Sequence, residues 1–155
     1  MSAQELGVGE ITRPVNTGEG EMMNEPTVED IMRRSPVTTS PHQILADAQE
    51  LMSREGMHQL PVVENGTLVG MLSDRDLHAH SGYLDRTKVD AAMTYGVITA
   101  APTDTARHAA RVLIERQINA LPVVDGDRLI GIVTKTDLLR LLVSLLERLH
   151  TSSSV

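Results

Sequence analysis

The chain contains an internal repeat, which constrains its fold more than any other feature. Residues 28–77 align with residues 89–138 without a gap, at a constant offset of 61 positions. Thirteen of the fifty aligned positions are identical, and they include the same Pro, Gly and Asp residues. A fixed period is typical of a duplicated structural unit. We therefore interpret the chain as two copies of one unit.

Each copy predicts a helix followed by a β-hairpin. In the first copy, Ser40 and Pro41 suit the N-cap and first position of a helix, and Gly56 suits its end. Asn65-Gly66 separates two β-branched-rich runs and accepts the positive φ angles of a two-residue hairpin turn. A second helix is expected from Asp76 onward. The apolar residues at helical spacing before Gly56 are Ile44, Leu45, Ala48, Leu51 and Met52.

The whole unit is therefore predicted to run strand, helix, strand, strand, helix (β-α-β-β-α). The strands of the first copy are expected at 37–39, 60–63 and 68–72. The same elements of the second copy are expected at 98–100, 105–117, 121–124, 129–133 and from 137 onward.

One such unit is too small to bury a good core, and its sheet has one apolar face to cover. We expect an α/β (α+β) fold in which the two units pack with pseudo-twofold symmetry and form related pairs of pockets. The expected parts are a tail or arm at 1–25, repeat 1 at 26–82, repeat 2 at 83–143 and a C-terminal helix extension and tail at 144–155. Met22 and Met23 would also serve as start residues, which leaves open whether 1–21 belong to the natural product.

Composition excludes several classes of function. The chain has no cysteine, so disulfides and thiolate metal sites are absent, and its histidines are scattered, so we expect no metal site. A net charge of −7 and an almost complete lack of aromatic residues argue against nucleic-acid binding. No nucleophile–base arrangement is recognisable, so we expect no enzyme activity. No long apolar run and no basic-then-apolar start occur, so a cytoplasmic location without membrane insertion is expected.

The repeated residues carry a family resemblance. The first copy contains VEDIM, PVTTSP, LPVV and LVGMLSDRDL, and the second contains VDAAM, VITAAP, LPVVD and LIGIVTKTDLL. Both resemble the cystathionine-β-synthase (CBS) domain, and the likeness extends from Val28 to about Leu142. The resemblance implies tandem CBS repeats, called a Bateman module, that bind adenosine-containing ligands in clefts between the repeats.

The resemblance also implies roles for two pairs of residues. The family pattern at the end of each hairpin is Gly, two apolar residues, Thr or Ser, two residues of any kind and Asp, and both copies keep it. It implies that Asp76 and Asp137 accept hydrogen bonds from ribose hydroxyls, and that Ser73 and Thr134 offer hydroxyls to ribose or phosphate. An Asp near a helix start is also common for capping alone, and this alternative stays open.

In similar proteins the rest of each cleft comes largely from the other repeat. For Asp137 this implies Arg33, Arg34, Ser35 and Pro36 with Met57, His58 and Gln59, and Lys135 is close by. For Asp76 it implies Thr94, Tyr95, Gly96 and Val97 with Ile118, Asn119 and Ala120, and Arg75 is close by. Because the first set is richer in positive charge, we expect nucleotide phosphate at the Asp137 cleft.

Three functions are compatible with these observations. The favoured one is a regulatory sensor of an adenosine-containing ligand that transmits the signal to a protein partner; no cofactor is required. The ligand stays open among AMP, ADP, ATP, S-adenosylmethionine or a dinucleotide. The alternatives are a structural dimerisation scaffold with empty clefts and a ligand-driven partner of DNA or of a separate enzyme.

The C-terminal sequence predicts a surface for a second subunit. Six leucines recur there at helical spacing and form a stripe broader than one module needs. We therefore expect a homodimer through the CBS helices and this Leu-rich helix, and we consider binding to a membrane surface less favoured because the chain is acidic. The six leucines are Leu138, Leu141, Leu142, Leu145, Leu146 and Leu149.

Overall fold

The structure, a computed structural model, describes residues 15–16 and 22–153, with side chains over residues 24–151. The strands are β1 (Val15–Asn16), β2 (Met22–Met23), β3 (Arg33–Arg34), β4 (Gln59–Glu64), β5 (Thr67–Ser73), β6 (Ala120–Asp125) and β7 (Arg128–Thr134). The helices are α1 (Val28–Ile31), α2 (Leu45–Glu55), α3 (Asp74–Ala79), α4 (Val89–Ala92), α5 (Ala106–Arg116) and α6 (Lys135–Ser153). Among these described residues, no helix is both long and apolar enough to cross a membrane.

The predicted tail at 1–25 lies mostly outside the described residues. Within it, β1 pairs antiparallel with β2. From α1 onward the two repeats follow the same order of helices and hairpins, with antiparallel strand pairs throughout the hairpins. The predicted α+β class is confirmed.

The described chain forms two compact units that do not coincide with the two repeats. The first unit contains the residues up to Arg34, Ile98–Val123 and everything from Gly131 on; the second contains Ser35–Val97 and Val124–Ile130. Each unit therefore combines most of one repeat with the opening segment of the other, and the second unit also takes in the hairpin turn of repeat 2. The boundaries predicted from the sequence follow the repeats and stay predictions.

The second unit is built on the hairpin of β4 and β5. Leu60 pairs with Leu72, and the strand register shifts between Val62 and Val63. The hairpin turns at Asn65 (φ 52°) and Gly66 (φ 82°), as their sequence predicts. Its core is a cluster of buried residues from α2, the hairpin, α3 and the opening segment of repeat 2: Leu45, Ala48, Met52, Leu60, Val62, Leu72, Leu77, Val89 and Met93.

The first unit has the equivalent arrangement. Helix α5 begins after its N-cap Thr105, whose side chain accepts a hydrogen bond from the His108 backbone N–H, and it ends at Gln117. The backbone N–H of Val28 in α1 donates to the Asp104 carbonyl at 2.7 Å, which ties repeat 1 to repeat 2 within this unit. The largest fully buried side chains here are Leu113, Leu121, Ile132, Val28, Val112, Val123 and Val133.

Three predicted boundaries differ from the structure. Helix α2 begins at Leu45 rather than at Pro41, because the Ser40 hydroxyl accepts a hydrogen bond from the His42 N–H in a local turn instead of capping the helix. Helix α3 begins at Asp74 rather than Asp76, since Ser73 is its N-cap. The first strand of each repeat is reduced to one parallel bridge, Thr39 with Val62 and the matching pair in repeat 2.

Candidate ligand-binding site

Asp76 sits in the first turn of α3, where its carboxylate closes a capping box. Its Oδ2 accepts hydrogen bonds from the Ser73 backbone N–H at 2.8 Å and from the Ser73 hydroxyl at 3.1 Å. Asp76 is half-buried. Among the described residues, no salt bridge involves Asp76, so its Oδ1 has no cationic partner.

Asp137 makes the same cap at the start of α6 but is more enclosed. Its Oδ2 accepts from the Thr134 backbone N–H at 2.8 Å and from the Thr134 hydroxyl at 3.0 Å. Only 8% of the residue is exposed. Its Oδ1 lies 3.5 Å from Arg33 Nε and 4.0 Å from an Arg140 terminal nitrogen. One oxygen of Asp137 thus stabilises the helix start, while the other faces positive charge.

The capping role of these Asp residues is real but is not by itself a sign of ligand binding. Thr27 and Asp30 form the same capping box at α1, with Asp30 Oδ2 accepting at 2.8 Å and 3.1 Å, although they lie outside the Gly-containing pattern. Asp76 and Asp137 differ from Asp30 in following a hairpin at the end of the Gly-containing pattern, and a segment of the other repeat pairs with the strand that precedes each of them.

In the first unit that segment is β3. It pairs antiparallel with β7, so that Arg33 faces Ile132 and Arg34 faces Gly131. A Cβ at Gly131 would lie 2.6 Å from Met32 Sδ and 3.0 Å from the Arg33 carbonyl oxygen. The glycine of the pattern therefore allows β3 and β7 to approach closely, and this approach brings Arg33 to Asp137.

In the second unit the corresponding segment is Thr94. Its backbone pairs with Met71, two residues before Ser73, through N–H···O bonds of 3.0 Å and 2.8 Å in the two directions. A Cβ at Gly70 would lie 2.5 Å from Met93 Sδ, so this glycine also permits a close approach. The structure thus brings the predicted residue Thr94 to the strand that leads to Asp76.

The two sites differ in electrostatics. Beside Asp76, the imidazole Nδ1 of His58 lies 2.7 Å from Asp74 Oδ2, and this pair adds a second carboxylate to the surroundings. At the position of Asp74 repeat 2 has Lys135, which is exposed. The Asp137 site therefore has the more positive surroundings.

The segments that precede β4 and β6 lie beside the Asp of their own repeat. Gln59 pairs with Ser73 across the hairpin, and the Asn119 carbonyl accepts from the Lys135 N–H at 3.1 Å. The resemblance assigned Met57–Gln59 to Asp137 and 118–120 to Asp76, whereas neighbouring antiparallel strands bring the residue before the first strand next to the end of the second. The assignment of these two segments to the Asp of the other repeat stays a prediction.

Two other predicted lining residues, Arg34 and Tyr95, contact groups of their own segment. Arg34 lies 3.4 Å from Glu29, and the Tyr95 hydroxyl donates to the Asp90 carbonyl at 2.7 Å. Ser35 (φ 49°) and Gly96 (φ 61°) adopt left-handed backbone conformations just after the two approaching segments. Arg75 is exposed on the first turn of α3. The roles of these residues in lining the clefts stay predictions.

Sequence reasoning missed Arg140 and the contact between His58 and Asp74. Arg140 follows Asp137 by three residues, a spacing at which side chains of a helix are neighbours, so the spacing was a usable signal. The His58–Asp74 contact depends on strand pairing and has no local signal. Within residues 24–151, no group of three or more His, Cys, Asp or Glu residues could hold a metal ion.

Comparison with known proteins identifies the family to which the two repeats are similar. The family model "CBS domain" matches twice, at residues 28–81 and 89–144. The CBS domain-containing protein YhcV of Bacillus subtilis is 35% identical over 115 residues, which cover 72% of this chain and 82% of YhcV.

Two solved structures of CBS-domain proteins resemble the chain closely. One is CBSX2, crystallised in complex with AMP (TM-score 0.72, 31% identity, covering 77% of this chain and 98% of that one). The other is the CBS domain pair of protein MJ0100 in complex with 5-methylthioadenosine and S-adenosyl-L-methionine (TM-score 0.72, 29% identity, covering 77% and 98%). The chain therefore belongs to the CBS domain family and contains, over the matched residues, a pair of CBS domains.

Proposed function

We propose that this chain is a regulatory module that senses an adenosine-containing ligand through Asp76 and Asp137 and transmits the signal to a protein partner. In each site, Oδ1 of the Asp would accept a hydrogen bond from a ribose hydroxyl, while Oδ2 keeps the helix cap. Ser73 and Thr134 use their hydroxyl hydrogens in that cap, so each would contribute a hydroxyl oxygen as an acceptor. Neither role requires a bound cofactor.

The observation that carries this proposal is the composite build of each site. A capping Asp with one uncapped oxygen follows a strand that pairs, within one compact unit, with a segment of the other repeat: Arg33 lies beside Asp137, and Thr94 pairs with Met71 ahead of Asp76. A ligand bound there would contact both repeats, and it would shift the protein toward whichever conformation binds it better. The AMP and S-adenosyl-L-methionine complexes of the similar CBS structures support adenosine-containing ligands as the class to test.

Thermal unfolding against AMP, ADP, ATP, 5-methylthioadenosine and S-adenosylmethionine tests the proposal. A ligand at 100 times its Kd should stabilise the protein by about 2.7 kcal/mol, which raises Tm by about 5–10 °C for a chain of this size. Asp76→Asn and Asp137→Asn should each remove the part of the shift that comes from one site.

Asp30→Asn is the matched control, because Asp30 makes the same capping box without belonging to either site. It should lower the Tm of the free protein and leave the ligand-induced shift intact. A panel without any shift would favour the scaffold function, and a shift that all three variants keep would refute the assignment of the Asp residues. Salt-dependent retardation of DNA in a gel, seen only with ligand, would favour the DNA alternative.

We also infer that α6 binds a second copy of the chain. Leu139, Leu142, Val143, Leu146 and Leu149 form a continuous apolar stripe on α6, and each side chain is 49–65% exposed. Arg140 and Glu147, one heptad apart, lie along the same edge of the stripe and are exposed. If two α6 helices pair antiparallel about a twofold axis, each Arg140 faces Glu147 of the partner subunit. This charge complementarity favours a second copy over an unrelated partner.

Sedimentation velocity at several concentrations tests this dimer. Leu146→Asp should yield monomers, whereas Ser144→Asp, on another side of the same helix, should leave the dimer intact. Glu147→Arg should weaken the dimer, and adding Arg140→Glu should restore it because the charge pairs are re-formed with reversed sign. A monomeric wild type, or a dimer that Leu146→Asp does not affect, would contradict this surface.

A further inference from the structure

The ion pair between Arg33 and Asp137 occupies the oxygen that a ligand would need. Asp137 Oδ2 is already taken by the Thr134 cap, and Oδ1 lies 3.5 Å from Arg33 Nε. Strand pairing with β7 fixes the backbone of Arg33, but its side chain is 54% exposed while that of Asp137 is 7% exposed. The carboxylate is therefore enclosed, whereas the Arg33 side chain beside it is largely exposed, and Arg140 lies 4.0 Å from the same oxygen.

We propose that Arg33 is a gate that makes the Asp137 site selective for ligands with a phosphate. This inference rests on the proposed function of Asp137 and adds a specificity-determining residue to it. A nucleoside without phosphate has to break the Arg33–Asp137 pair, and it has no anionic group that could bind the guanidinium instead. A nucleotide offers a phosphate, which a guanidinium binds with two parallel hydrogen bonds and so exchanges one anionic partner for another.

The gate is weak enough to open. An ion pair with one largely exposed partner contributes little stability, because solvent screens it and the long Arg side chain loses entropy when it is held. A better partner in the same site is therefore sufficient to move it. Selectivity then arises because phosphate binding favours the open position of Arg33, whereas a nucleoside alone does not.

The other repeat supplies an internal comparison without a gate. At the offset of 61 residues, Thr94 takes the place of Arg33, Ala79 takes that of Arg140, and Asp74 takes that of Lys135. Among the described residues, no Arg or Lys forms an ion pair with Asp76. The Asp76 site should therefore bind nucleosides at least as well as nucleotides, and the carboxylate of Asp74 should disfavour a phosphate there.

Calorimetric titration with adenosine and AMP tests the gate, because the two ligands differ only in the phosphate. The full chain carrying Asp76→Asn isolates the Asp137 site, and Arg33→Thr in that background introduces the residue that the other repeat has. Arg33→Thr should lower the affinity for AMP about tenfold, which corresponds to the loss of about one charge-assisted hydrogen bond. It should also raise the affinity for adenosine about threefold, which is the gain expected when a surface ion pair no longer has to be broken.

Arg54→Thr is the matched control and should leave the ratio of the two affinities unchanged, since the exposed Arg54 lies on α2, outside both sites, and pairs with Glu55. If Arg33→Thr weakens AMP and leaves adenosine unchanged, Arg33 binds phosphate without gating, and the proposal is overturned. An equal loss for both ligands would likewise overturn it, as that is the effect of a structural defect. If the wild-type chain binds neither ligand in a way that depends on Asp137, the proposed function itself fails.

A gain-of-function variant provides the second test. Thr94→Arg in a chain that carries Asp137→Asn places a guanidinium beside Asp76. This change should lower the affinity of the Asp76 site for adenosine and reduce the preference of the site for adenosine over AMP. Thr94→Gln, which has a side chain of similar length without charge, should do neither. A Thr94→Arg variant that binds both ligands like its parent would contradict gating by this position.

Discussion

At the scale of single residues, the two motif glycines differ in what surrounds them. The three atoms nearest to a Cβ at Gly70 all belong to the Met93 side chain, which can rotate away. At Gly131 the nearest atoms include the Arg33 carbonyl oxygen at 3.0 Å, which strand pairing holds in place. The same family position is thus more constrained in repeat 2 than in repeat 1.

Gly131→Ala should consequently destabilise the protein more than Gly70→Ala. Overpacking of a well-packed site costs about 1–3 kcal/mol, and we expect Gly131→Ala in that range and Gly70→Ala near its lower end. Urea unfolding of both variants measures the difference. Adding Met93→Ala should relieve Gly70→Ala, and adding Met32→Ala should relieve Gly131→Ala only in part. Equal costs at the two positions would show that the backbone contact is unimportant.

Single residues also show what could be predicted of the candidate site. The positions of Asp76 and Asp137 could be predicted because Gly, Thr or Ser, and Asp lie close together in the sequence. The contact of Arg33 with Asp137 has no local signal, and only the family resemblance placed Arg33 at this cleft, because the contact depends on β3 pairing with β7, which follows much later in the chain. Local sequence patterns thus predict the Asp and the hydroxyl residue that cap each helix. The residues of the other repeat that lie opposite them are brought there by tertiary packing.

At the scale of elements, the equivalent helices α2 and α5 end differently. Both end in a left-handed residue, which is Gly56 (φ 64°) in repeat 1 and Gln117 (φ 54°) in repeat 2. A side chain in this conformation costs about 1–2 kcal/mol, whereas glycine adopts it freely.

Gln117→Gly should therefore stabilise the protein by up to about 1 kcal/mol, and Gly56→Gln should destabilise it by a similar amount. Chemical denaturation of the two single variants measures these changes. Gln49→Gly, in the exposed middle of α2, is the control and should destabilise by about 1 kcal/mol, since glycine is unfavourable inside a helix. A loss of stability in Gln117→Gly would contradict the conformational argument.

The starts of these helices explain where the sequence prediction was wrong. Helix α5 begins after Thr105, as predicted, because that side chain caps it locally. The first N–H groups of α2 have no such side-chain cap and donate to the carbonyls of Thr87 and Leu84, which lie beyond the hairpin and α3. The first N–H of α5 also donates to a distant carbonyl, that of Pro26, so the two helix starts differ in the local cap. Because these acceptors replace a local cap, Ser40 was a misleading signal. Helix periodicity is local and predictable, whereas a helix start that a distant segment caps is not.

At the scale of the whole molecule, each compact unit needs residues from both repeats. The core of the second unit includes Val89 (0% exposed) and Met93 (8%), which belong to repeat 2 by sequence. The first unit in turn contains Val28 (0%) and Met32 (8%) of repeat 1. The sequence repeat therefore marks the duplicated pattern but not the compact bodies, since the opening segment of each copy packs on the other copy.

Separating the repeats should therefore abolish folding of both. A fragment of residues 22–82 lacks Val89 and Met93, so its core would be incomplete and its apolar face exposed to water, and residues 83–155 lack Val28 and Met32 in the same way. Each fragment alone should show no cooperative thermal transition by circular dichroism, whereas an equimolar mixture should regain one. Val89→Asp in the second fragment should prevent this recovery, because a carboxylate without a partner would have to be buried. If fragment 22–82 unfolded cooperatively by itself with the stability of the full chain, repeat 1 would be an independent domain. The opening segment of repeat 2, which packs on repeat 1, would then be dispensable.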